Sequence, residues 1–371
     1  MVEAREMDRK VDTLTSMIDV RAADDADKPA LLAFMAEAAG ADKAATLDRR
    51  WHWQWHLDPR LAAPGYKGVV AVWNGRIIGN IACMPAGMYI HGQPVDAVWL
   101  ADARIHFGWA REALKAAVRA GARKRDLFPN GIAAALFDHP AAGSMQLGKH
   151  IGEAMMTIGH RAGFRYVPDA GNTMRRVSLR WPLQQAIGRV PGAMVAAVAD
   201  LSIRLPRRPR LPVQALEGPF DARFDALWEL ARAGYPAITR RDAAVLNWHY
   251  RNHPDTDYRT LVVADGPALR GYLVYKVWHR RGRRIARVVD VLALAGDWAA
   301  VDALAAAALH ELRAAGVERA DWFACGAELR ARLARLGFVP RVTRKSRPQP
   351  LMVRGLPEMP FHVTSGDGDG G

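Results

Sequence analysis

The chain has few cysteines: Cys83 and Cys325 are the only two among its 371 residues. Two thiols are too few to supply a zinc site by themselves. The surrounding segments, "NIACMP" and "DWFACGA", are apolar and typical of buried strands. We therefore expect both thiols to be reduced in a cytoplasmic protein, and a disulfide that joins two domains is the alternative.

Other absences narrow the class of protein further. The sequence has no uninterrupted apolar run of about eighteen residues, so it predicts no transmembrane helix. Its first residues are charged and contain no apolar stretch, so it predicts no secretory signal. The segments "GRVPG" and "GKHIG" lack the spacing of a phosphate-binding loop. His249 and His253 lack the intervening glutamate of a metalloprotease motif, and we predict no metal site.

Acidic residues are scarce relative to basic ones: 38 Asp and Glu stand against 52 Lys and Arg, which gives a formal net charge of +14. A charge of this sign favours anionic partners such as a nucleotide cofactor, RNA or a membrane surface. Enrichment in arginine and alanine is also typical of a high-GC coding bias. Composition alone therefore leaves both explanations of the charge open.

The most informative pattern in the chain occurs twice. "RRWHWQWHLDP" near the start and "LNWHYRNHP" in the second half share the spacing of two aromatic residues and a proline. The matched residues, 195 positions apart, are Trp53, Trp55 and Pro59, and then Trp248, Tyr250 and Pro254. A repeat with this long period predicts two domains of one design. We expect the aromatic residues to pack in a core or interface rather than to stack on a ligand.

The repeat and the composition between its copies divide the chain. The predicted divisions are a flexible segment over 1–15, a first domain over 16–182, a Pro/Arg-rich linker over 183–212, a second domain over 213–355 and a disordered tail over 356–371. Within the linker, "GAMVAAVADLSIRL" predicts a helix that packs on a domain or lies on a membrane. Its weak amphipathic pattern favours packing.

Each copy contains the same order of predicted elements. A strand and a helix come first, then an antiparallel meander, then helix, strand, helix and strand. Asn74-Gly75 between "VVAVW" and "RIIGNIA" predicts a type I′ hairpin. "VDAVWLADARI" predicts a long central strand, "GIAAALF" a buried strand, and "GSMQLGKHIGEAMMTIGHRAGF" a helix. The fold class is therefore α+β: two domains, each with a mixed, mostly antiparallel sheet flanked by helices.

This order of elements resembles that of the general N-acetyltransferase (GNAT) superfamily, here as a tandem pair of GNAT-like domains. The first copy contributes "IDVRAADDAD", "NGRIIGNIA", "WLADARIH" and "HRAGFRYV", and the second contributes "ALRGYLVYK", "RVVDVLAL" and "RLGFVPR". The chain also resembles bacterial two-domain proteins with a W-x-W/Y-x-x-x-P segment in each half. The resemblance implies transfer of an acetyl or other acyl group from acyl-coenzyme A to an amine.

The resemblance also implies that a glycine-rich loop and the start of the following helix hold the coenzyme A pyrophosphate through backbone N–H groups. In the first copy the corresponding segment is "HFGWAREAL", which gives as cofactor-binding candidates Phe107, Gly108, Trp109, Ala110 and Arg111. In the second copy Asp297 stands where a phosphate would approach, and its charge repels a pyrophosphate. We therefore expect acetyl-coenzyme A or another acyl-coenzyme A to bind in the first copy.

Acylation of an amine needs a base for the ammonium proton and an acid for the leaving thiolate. Asp102 on the predicted central strand and His106 at its end are candidate bases, directly or through water. The competing interpretation makes Asp102 a structural carboxylate that pairs with Arg104. The resemblance implies a tyrosine acid four residues before the late Gly-Phe pair. Gly159 stands there, and the neighbouring His160 is either a substitute acid or a surface histidine.

Two residues are predicted to line a substrate cleft. Asn130 lies in the turn "LFPNG", and Asp290 lies in the long strand of the second copy. A buried carboxylate on a strand needs a partner, for which Arg284 and Arg287 are candidates. Asp290 either lines a groove between the domains or holds the domains together.

The main hypothesis is thus a cytoplasmic, acyl-coenzyme A-dependent N-acyltransferase that acts on an amine of a small molecule, a sugar or a peptide. One alternative is a tandem GNAT-like transferase that takes its group from aminoacyl-tRNA, which the +14 charge and the missing glycine loop support. Nucleic acid is nevertheless the less favoured partner. The other alternative is a non-catalytic binding module, because both copies lack the loop and the tyrosine. The oligomeric state stays open.

Overall fold

A computed structural model of the chain describes residues 18–119, 131–149, 153–207, 211–280, 282–341 and 351–368. The chain forms two compact units. Unit 1 lies within residues 1–86, 96–166 and 352–357, and unit 2 within residues 87–95, 167–351 and 358–371. No helix in the described ranges is both long and apolar enough to cross a membrane.

The described residues form both β-strands and α-helices. The strands are β1 (Asp19–Ala23), β2 (Gly68–Trp73), β3 (Arg76–Pro85), β4 (Met88–Ile90), β5 (Gln93–Val95), β6 (Ala97–Ile105), β7 (Met145–Gly148), β8 (Arg165–Tyr166), β9 (Ala170–Arg176), β10 (Val213–Ala215), β11 (Ala237–Thr239), β12 (Arg259–Asp265), β13 (Ala268–Arg280), β14 (Arg283–Ala293), β15 (Arg319–Cys325), β16 (Val339–Pro340), β17 (Met352–Arg354) and β18 (Phe361–His362). The helices are α1 (Lys28–Ala39), α2 (Ala41–His56), α3 (Phe107–Arg119), α4 (Ile132–Asp138), α5 (Glu153–Arg161), α6 (Arg180–Ile187), α7 (Arg189–Ala199), α8 (Ala222–Arg232), α9 (Ala243–Leu246), α10 (Trp298–Ala314) and α11 (Ala327–Arg335).

Unit 1 contains a seven-stranded sheet in the order β1–β2–β3–β6–β7–β17–β8. The pair β6–β7 is parallel and the other neighbours are antiparallel. Asn74 and Gly75 both have positive φ (49° and 73°), as the predicted type I′ turn between β2 and β3 requires. Strand β3 is buried along nearly its whole length, so the sheet is covered on both faces.

Unit 2 repeats this plan. Its main sheet has the order β10–β12–β13–β14–β15–β9–β16, again with one parallel pair, β14–β15, at the same place. The other neighbours are antiparallel. A second, four-stranded sheet with the order β18–β11–β4–β5 also belongs to this unit. The α+β class with mostly antiparallel sheets, predicted from the sequence, is confirmed.

The sixth position of each main sheet is filled from a distant part of the chain. In unit 1 this strand is β17, and in unit 2 it is β9. Boundaries drawn along the sequence do not anticipate this arrangement, because they assume that each unit takes consecutive residues. The boundaries at 182 and 213 remain predictions.

Three predicted elements differ from the structure. "GIAAALF" forms helix α4 rather than a strand, because its run of alanines favours a helix and an apolar segment this short is ambiguous by pattern. The helix predicted from "GAMVAAVADLSIRL" is present as α7 but begins earlier, at Arg189, and α6, which starts at Arg180 before the predicted linker, was not predicted. Pro182 and Pro191 lie in the first turns of these helices, where proline is tolerated. The segment predicted as a helix from Gly143 onward begins instead with strand β7.

The predicted disordered tail is also wrong for residues 356–368. This segment includes β18, and Ser365 and Asp367 are buried. Its polar composition is compatible with burial because Arg241, itself buried, forms an ion pair with Asp367 at 2.8 Å.

Candidate functional site

In each unit, the strands of the parallel pair separate after a few residues. In unit 1, β6 pairs with β7 only from Ala97 to Trp99 and then continues to Ile105. Within the described residues no strand pairs with this second half of β6 on the β7 side. An extended strand edge of this kind offers backbone donors and acceptors to an extended ligand.

A β-bulge interrupts β6 at Asp102. The register between β3 and β6 shifts there, so that Asp102 and Ala103 together oppose Ile81. Asp102 has φ of +47°, a left-handed conformation that is uncommon outside glycine. Backbone strain held in place by its surroundings is typical of functional positions.

The carboxylate of Asp102 contacts helix α2. Lys43 Nζ lies 2.8 Å from Asp102 Oδ1, and the aspartate side chain is 7% exposed. The backbone carbonyl of Asp102 accepts a hydrogen bond from Asn80 at 3.4 Å, and Asn80 in turn accepts one from the buried Tyr66 hydroxyl at 2.9 Å. The partner of Asp102 is therefore Lys43 and not Arg104, which is exposed.

The other face of β6 is apolar. Leu100 and Ile105 on β6 are partly buried and pack against the same core cluster as Met156 and Ile158 of α5. The bulge keeps Ile105 on this face although an undisturbed alternation would turn it away from Leu100. The second half of β6 therefore combines an apolar lining with an edge that no strand of the described ranges pairs with.

Helix α3 begins immediately after β6, and His106 caps its start. The Trp109 backbone N–H donates to His106 Nδ1 at 3.2 Å, and the two rings stack with centroids 3.9 Å apart. Because Nδ1 accepts this bond, a neutral His106 carries its proton on Nε2. Phe107 and Gly108 start the helix and are exposed, so their N–H groups lie at the positive end of the helix dipole.

Cationic side chains surround this helix start. The Arg76 guanidinium lies over the Trp109 ring, 4.3 Å from its centroid. Arg104, at the end of β6, and Arg111, in the first turns of α3, are both exposed. The structure shows no ion pair for these three arginines among the residues it describes. Ala110 is buried and contributes to the core rather than to the surface. The arrangement suits an anion such as a phosphate.

The corresponding cleft of unit 2 is filled by the segment 358–368. Strands β14 and β15 pair only as far as Val288 and Trp322. Beyond that point, the Gly366 N–H donates to the Val289 carbonyl at 2.6 Å, and His362 Nε2 lies 2.8 Å from the Val291 carbonyl oxygen. In unit 2 the chain itself thus occupies the backbone edge that, in unit 1, no strand of the described residues pairs with.

The start of α10 in unit 2 carries a paired carboxylate. Asp297 caps α10 by accepting from the Ala300 N–H at 3.1 Å. Arg270 donates to both carboxylate oxygens of Asp297 at 2.9 Å. Burial raises the pKa of Asp297, but the hydrogen bonds from Arg270 and Ala300 outweigh it and leave the pKa lowered. A carboxylate paired with Arg270 therefore stands at this helix start.

A cavity of about 320 Å³ remains in unit 2 beside this segment. It is lined mainly by apolar side chains, among them Trp298, Val301, Leu329 and Phe361. His362 also borders it, and burial lowers the pKa of this imidazole to about 4. The ring is therefore neutral at pH 7.

Asp290 belongs to a buried polar cluster. Arg241 Nε lies 3.0 Å from Asp290 Oδ1, and the Tyr272 hydroxyl donates to Oδ2 at 3.0 Å. The Thr364 hydroxyl also donates to Asp290, at 3.1 Å. The partner is thus Arg241 rather than Arg284 or Arg287, and Asp290 is not among the residues that line the cavity. The role of Asp290 in a substrate cleft remains a prediction.

The remaining candidates are not brought together with Asp102. His160 is exposed in the last turn of α5, and within the described residues no hydrogen bond joins it to Asp102 or His106. A Cβ atom at Gly159 would lie 2.1 Å from Met352 Cε, so a larger side chain there requires Met352 to move. Asn130 lies outside the described residues.

Sequence reasoning missed Lys43, Arg76 and the segment 358–368. Lys43 and Arg76 are single cations on ordinary surface elements, and no local pattern connects them to Asp102 or Trp109. The segment 358–368 has a polar, glycine-rich composition, which usually indicates a loop. The sequence did indicate one distant contact. An aspartate on a buried strand, Asp290, needs a cationic partner, and the structure shows that this partner is Arg241.

No family model matches the sequence, and no curated protein sequence matches it significantly. Solved structures do match. A GCN5-related N-acetyltransferase from Anabaena variabilis aligns with a TM-score of 0.55 at 14% identity, over 91% of this chain and 72% of that chain. A probable N-acyltransferase from Enterococcus faecalis aligns with a TM-score of 0.54 at 10% identity, over 91% and 72%.

The N-myristoyltransferase of Saccharomyces cerevisiae with bound myristoyl-CoA aligns with a TM-score of 0.52 at 10% identity, over 91% of this chain and 79% of that chain. At identities this low, the structural similarity establishes the fold alone. The chain has a GNAT-like fold in two units, the fold that its order of elements predicted.

Proposed function

We propose that the protein is an acyl-coenzyme A-dependent N-acyltransferase whose cofactor site lies in unit 1. The observation that carries the proposal is the contrast between the two clefts. The strand edge of β6 and the start of α3 are accessible and surrounded by arginines, whereas residues 358–368 and Asp297 fill the same positions in unit 2. The shared fold with an N-myristoyltransferase that binds myristoyl-CoA supports the same cofactor class.

The residues of unit 1 fit such a cofactor. The N–H groups of Phe107 and Gly108, together with Arg104 and Arg111, provide donors and positive charge for the phosphates. Arg76 and Trp109 form a stacked pair at the same place, 4.3 Å apart. When bound, the thioester supplies the acyl group to be transferred.

The free edge of β6 provides the groups for the extended part of the cofactor. Amides of the pantetheine arm can pair with its backbone in the manner of an added strand. Leu100 and Ile105, with Met156 and Ile158 of α5, provide an apolar wall for an acyl chain. The length of the acyl chain is open, and acetyl is one member of the class.

Asp102 is the proposed base. The ammonium group of Lys43 at 2.8 Å marks a position where this carboxylate accepts a protonated amine. We assign the acceptor amine to that position, where it displaces Lys43 and gives its proton to Asp102, directly or through a water molecule. His106, with its proton on Nε2, is the proposed donor to the leaving thiolate or to a phosphate oxygen. His160 is retained only as a surface candidate.

The first test is binding of the full chain to acetyl-, octanoyl- and myristoyl-coenzyme A by isothermal titration calorimetry. Arg111→Gln and Arg104→Gln should each weaken binding by about tenfold, the usual effect of losing one charge-assisted bond. Arg259→Gln on β12 is the matched control, because Arg259 is exposed in unit 2 and should not matter. Lack of binding at millimolar cofactor, or equal effects of all three substitutions, refutes the assignment.

The second test is turnover, measured as free thiol released from acyl-coenzyme A in the presence of amines. Small-molecule amines, amino sugars and peptides with a free N-terminus form the acceptor panel. Binding without thiol release for any acceptor supports the non-catalytic binding module. Salt-dependent binding of tRNA without binding of acyl-coenzyme A supports the aminoacyl-tRNA-dependent alternative.

A further inference from the structure

Helix α7 carries an exposed apolar stripe. Val190, Met194 and Val198 recur every four residues and are 70%, 69% and 70% exposed. Ile187 and Leu201, just before and just after the helix, are 48% and 78% exposed and complete what we call the α7 stripe. Isolated exposed apolar side chains are common on protein surfaces, but a continuous set marks an interaction surface.

The stripe lies on the outer side of a packed hairpin formed by α6 and α7. Gly192 and Ala196, on the opposite side of α7, are buried. A Cβ at Gly192 would lie 2.4 Å from Gln184 Cα, so the two helix backbones are in direct contact. Asp200 accepts hydrogen bonds from the Ser178 hydroxyl and the Leu179 N–H, each at 2.6 Å, and joins the end of α7 to the start of α6. The stripe is therefore exposed because the opposite side of α7 is packed against α6.

The surroundings of the stripe are basic. Residues 180–207 contain four arginines and a single acid, Asp200, whose carboxylate is engaged as described. Arg189, Arg204 and Arg207 are exposed, and the structure shows no ion pair for them among the described residues. An apolar helix face flanked by unpaired arginines is complementary to a surface that is apolar below and anionic above.

We propose that the α6–α7 hairpin docks on an anionic lipid surface. The α7 stripe enters the boundary between headgroups and acyl chains, and Arg189, Arg204 and Arg207 contact lipid phosphates. The hairpin lies on the surface and does not cross it, since neither helix is long enough to span a bilayer. A second copy of the chain is the weaker occupant, because it would bring two sets of unpaired arginines together.

The test is sedimentation of the full chain with sucrose-loaded vesicles of phosphatidylcholine, with and without phosphatidylglycerol. The triple variant Val190→Gln, Met194→Gln and Val198→Gln keeps the net charge of +14, so its effect reports the stripe alone. Leu230→Gln is the control, because Leu230 is an exposed leucine, 68% accessible, on α8. Unchanged far-UV circular dichroism and thermal unfolding of each variant verify that it is folded.

The expected result is binding to phosphatidylglycerol-containing vesicles that the triple variant weakens by at least about tenfold and the Leu230→Gln control leaves unchanged. Replacing Arg189, Arg204 and Arg207 with glutamine should remove the preference for anionic vesicles. Equal binding of the triple variant and the wild-type chain overturns the proposal. The proposal is also overturned if the wild-type chain does not bind vesicles and forms a dimer that the triple variant converts to a monomer. The α7 stripe is then an interface between two copies of the chain.

Discussion

Replacing Arg241 with methionine is expected to destabilise unit 2 strongly. Arg241 is 2% exposed, and its guanidinium donates to Asp290 at 3.0 Å, to Asp367 at 2.8 Å and to the Thr239 carbonyl at 2.7 Å. Burial lowers the pKa of Arg241, but the charges of Asp290 and Asp367 outweigh it and raise the pKa well above its usual value. The guanidinium is therefore charged at every pH at which the protein is folded.

The size of the effect follows from what the substitution leaves behind. Methionine fills much of the volume but offers no donor, so two buried carboxylates lose their cation. Removing one partner of a buried ion pair costs about 3–5 kcal/mol of the free energy of unfolding. For a unit of roughly 200 residues this corresponds to a decrease in Tm of about 6–20 °C.

The assay is urea unfolding followed by far-UV circular dichroism, with hydrogen exchange to assign the loss to unit 2. Arg223→Met is the matched control: Arg223 pairs with Asp221 at 2.8 Å, but the two side chains are 46% and 45% exposed. An exposed pair contributes little because water and salt screen it, so this control should leave the transition unchanged. If Arg241→Met destabilises no more than Arg223→Met, the buried cluster does not hold residues 358–368 in place.

Three further outcomes are expected. Asp102→Asn should lower kcat by about 10²–10⁴-fold without changing cofactor affinity. Lys43→Met should lower KM for the amine, because the Lys43 ammonium no longer competes with the acceptor amine for Asp102; an unchanged KM contradicts the assignment of the amine to this position. The pKa of His362 is lowered from 6.5 to about 4, so between these pH values the unfolded chain binds a proton that the folded chain does not. The wild-type chain should therefore lose about 3 kcal/mol of stability as pH falls from 6.5 to 4, and His362→Gln should flatten this dependence in urea titrations. Burial raises the pKa of the Cys83 and Cys325 thiols to about 12, so Ellman's reagent at pH 8 should label neither until urea unfolds the chain, and labelling of the folded protein contradicts this.

The features that the sequence predicted correctly depend on short-range patterns. The type I′ hairpin follows from Asn74-Gly75, and the long central strands follow from apolar runs such as "RIARVVDVLALA". The repeat then extended the prediction from one unit to the other. The α4 segment was wrong because seven apolar, alanine-rich residues satisfy the pattern of a buried strand and the propensity of a helix equally well.

The candidate site was predictable only where backbone geometry determines it. A helix that starts directly after a strand presents unpaired N–H groups whatever its side chains are, so the region of Phe107 to Arg111 was identifiable from the sequence. The contacts that define the chemistry are long-range. Lys43 reaches Asp102 because α2 packs on the sheet beside the bulge, and no spacing in the sequence predicts that contact.

Under the proposed function, the two units hold an open and a filled version of one cofactor site. Two acids accompany this filling in unit 2: Asp297 stands at the start of α10, and Asp367 lies in the segment 358–368, whose Gly366 N–H donates to the edge of β14. Each acid then needs a buried or half-buried cation, which Arg270 and Arg241 provide. Unit 1 has an excess of positive charge at the same place. Its helix start is surrounded by Arg76, Arg104 and Arg111, and none of these arginines has an acidic partner among the described residues. Under the proposed function, an anionic ligand supplies in unit 1 the negative charge that Asp297 and Asp367 supply in unit 2.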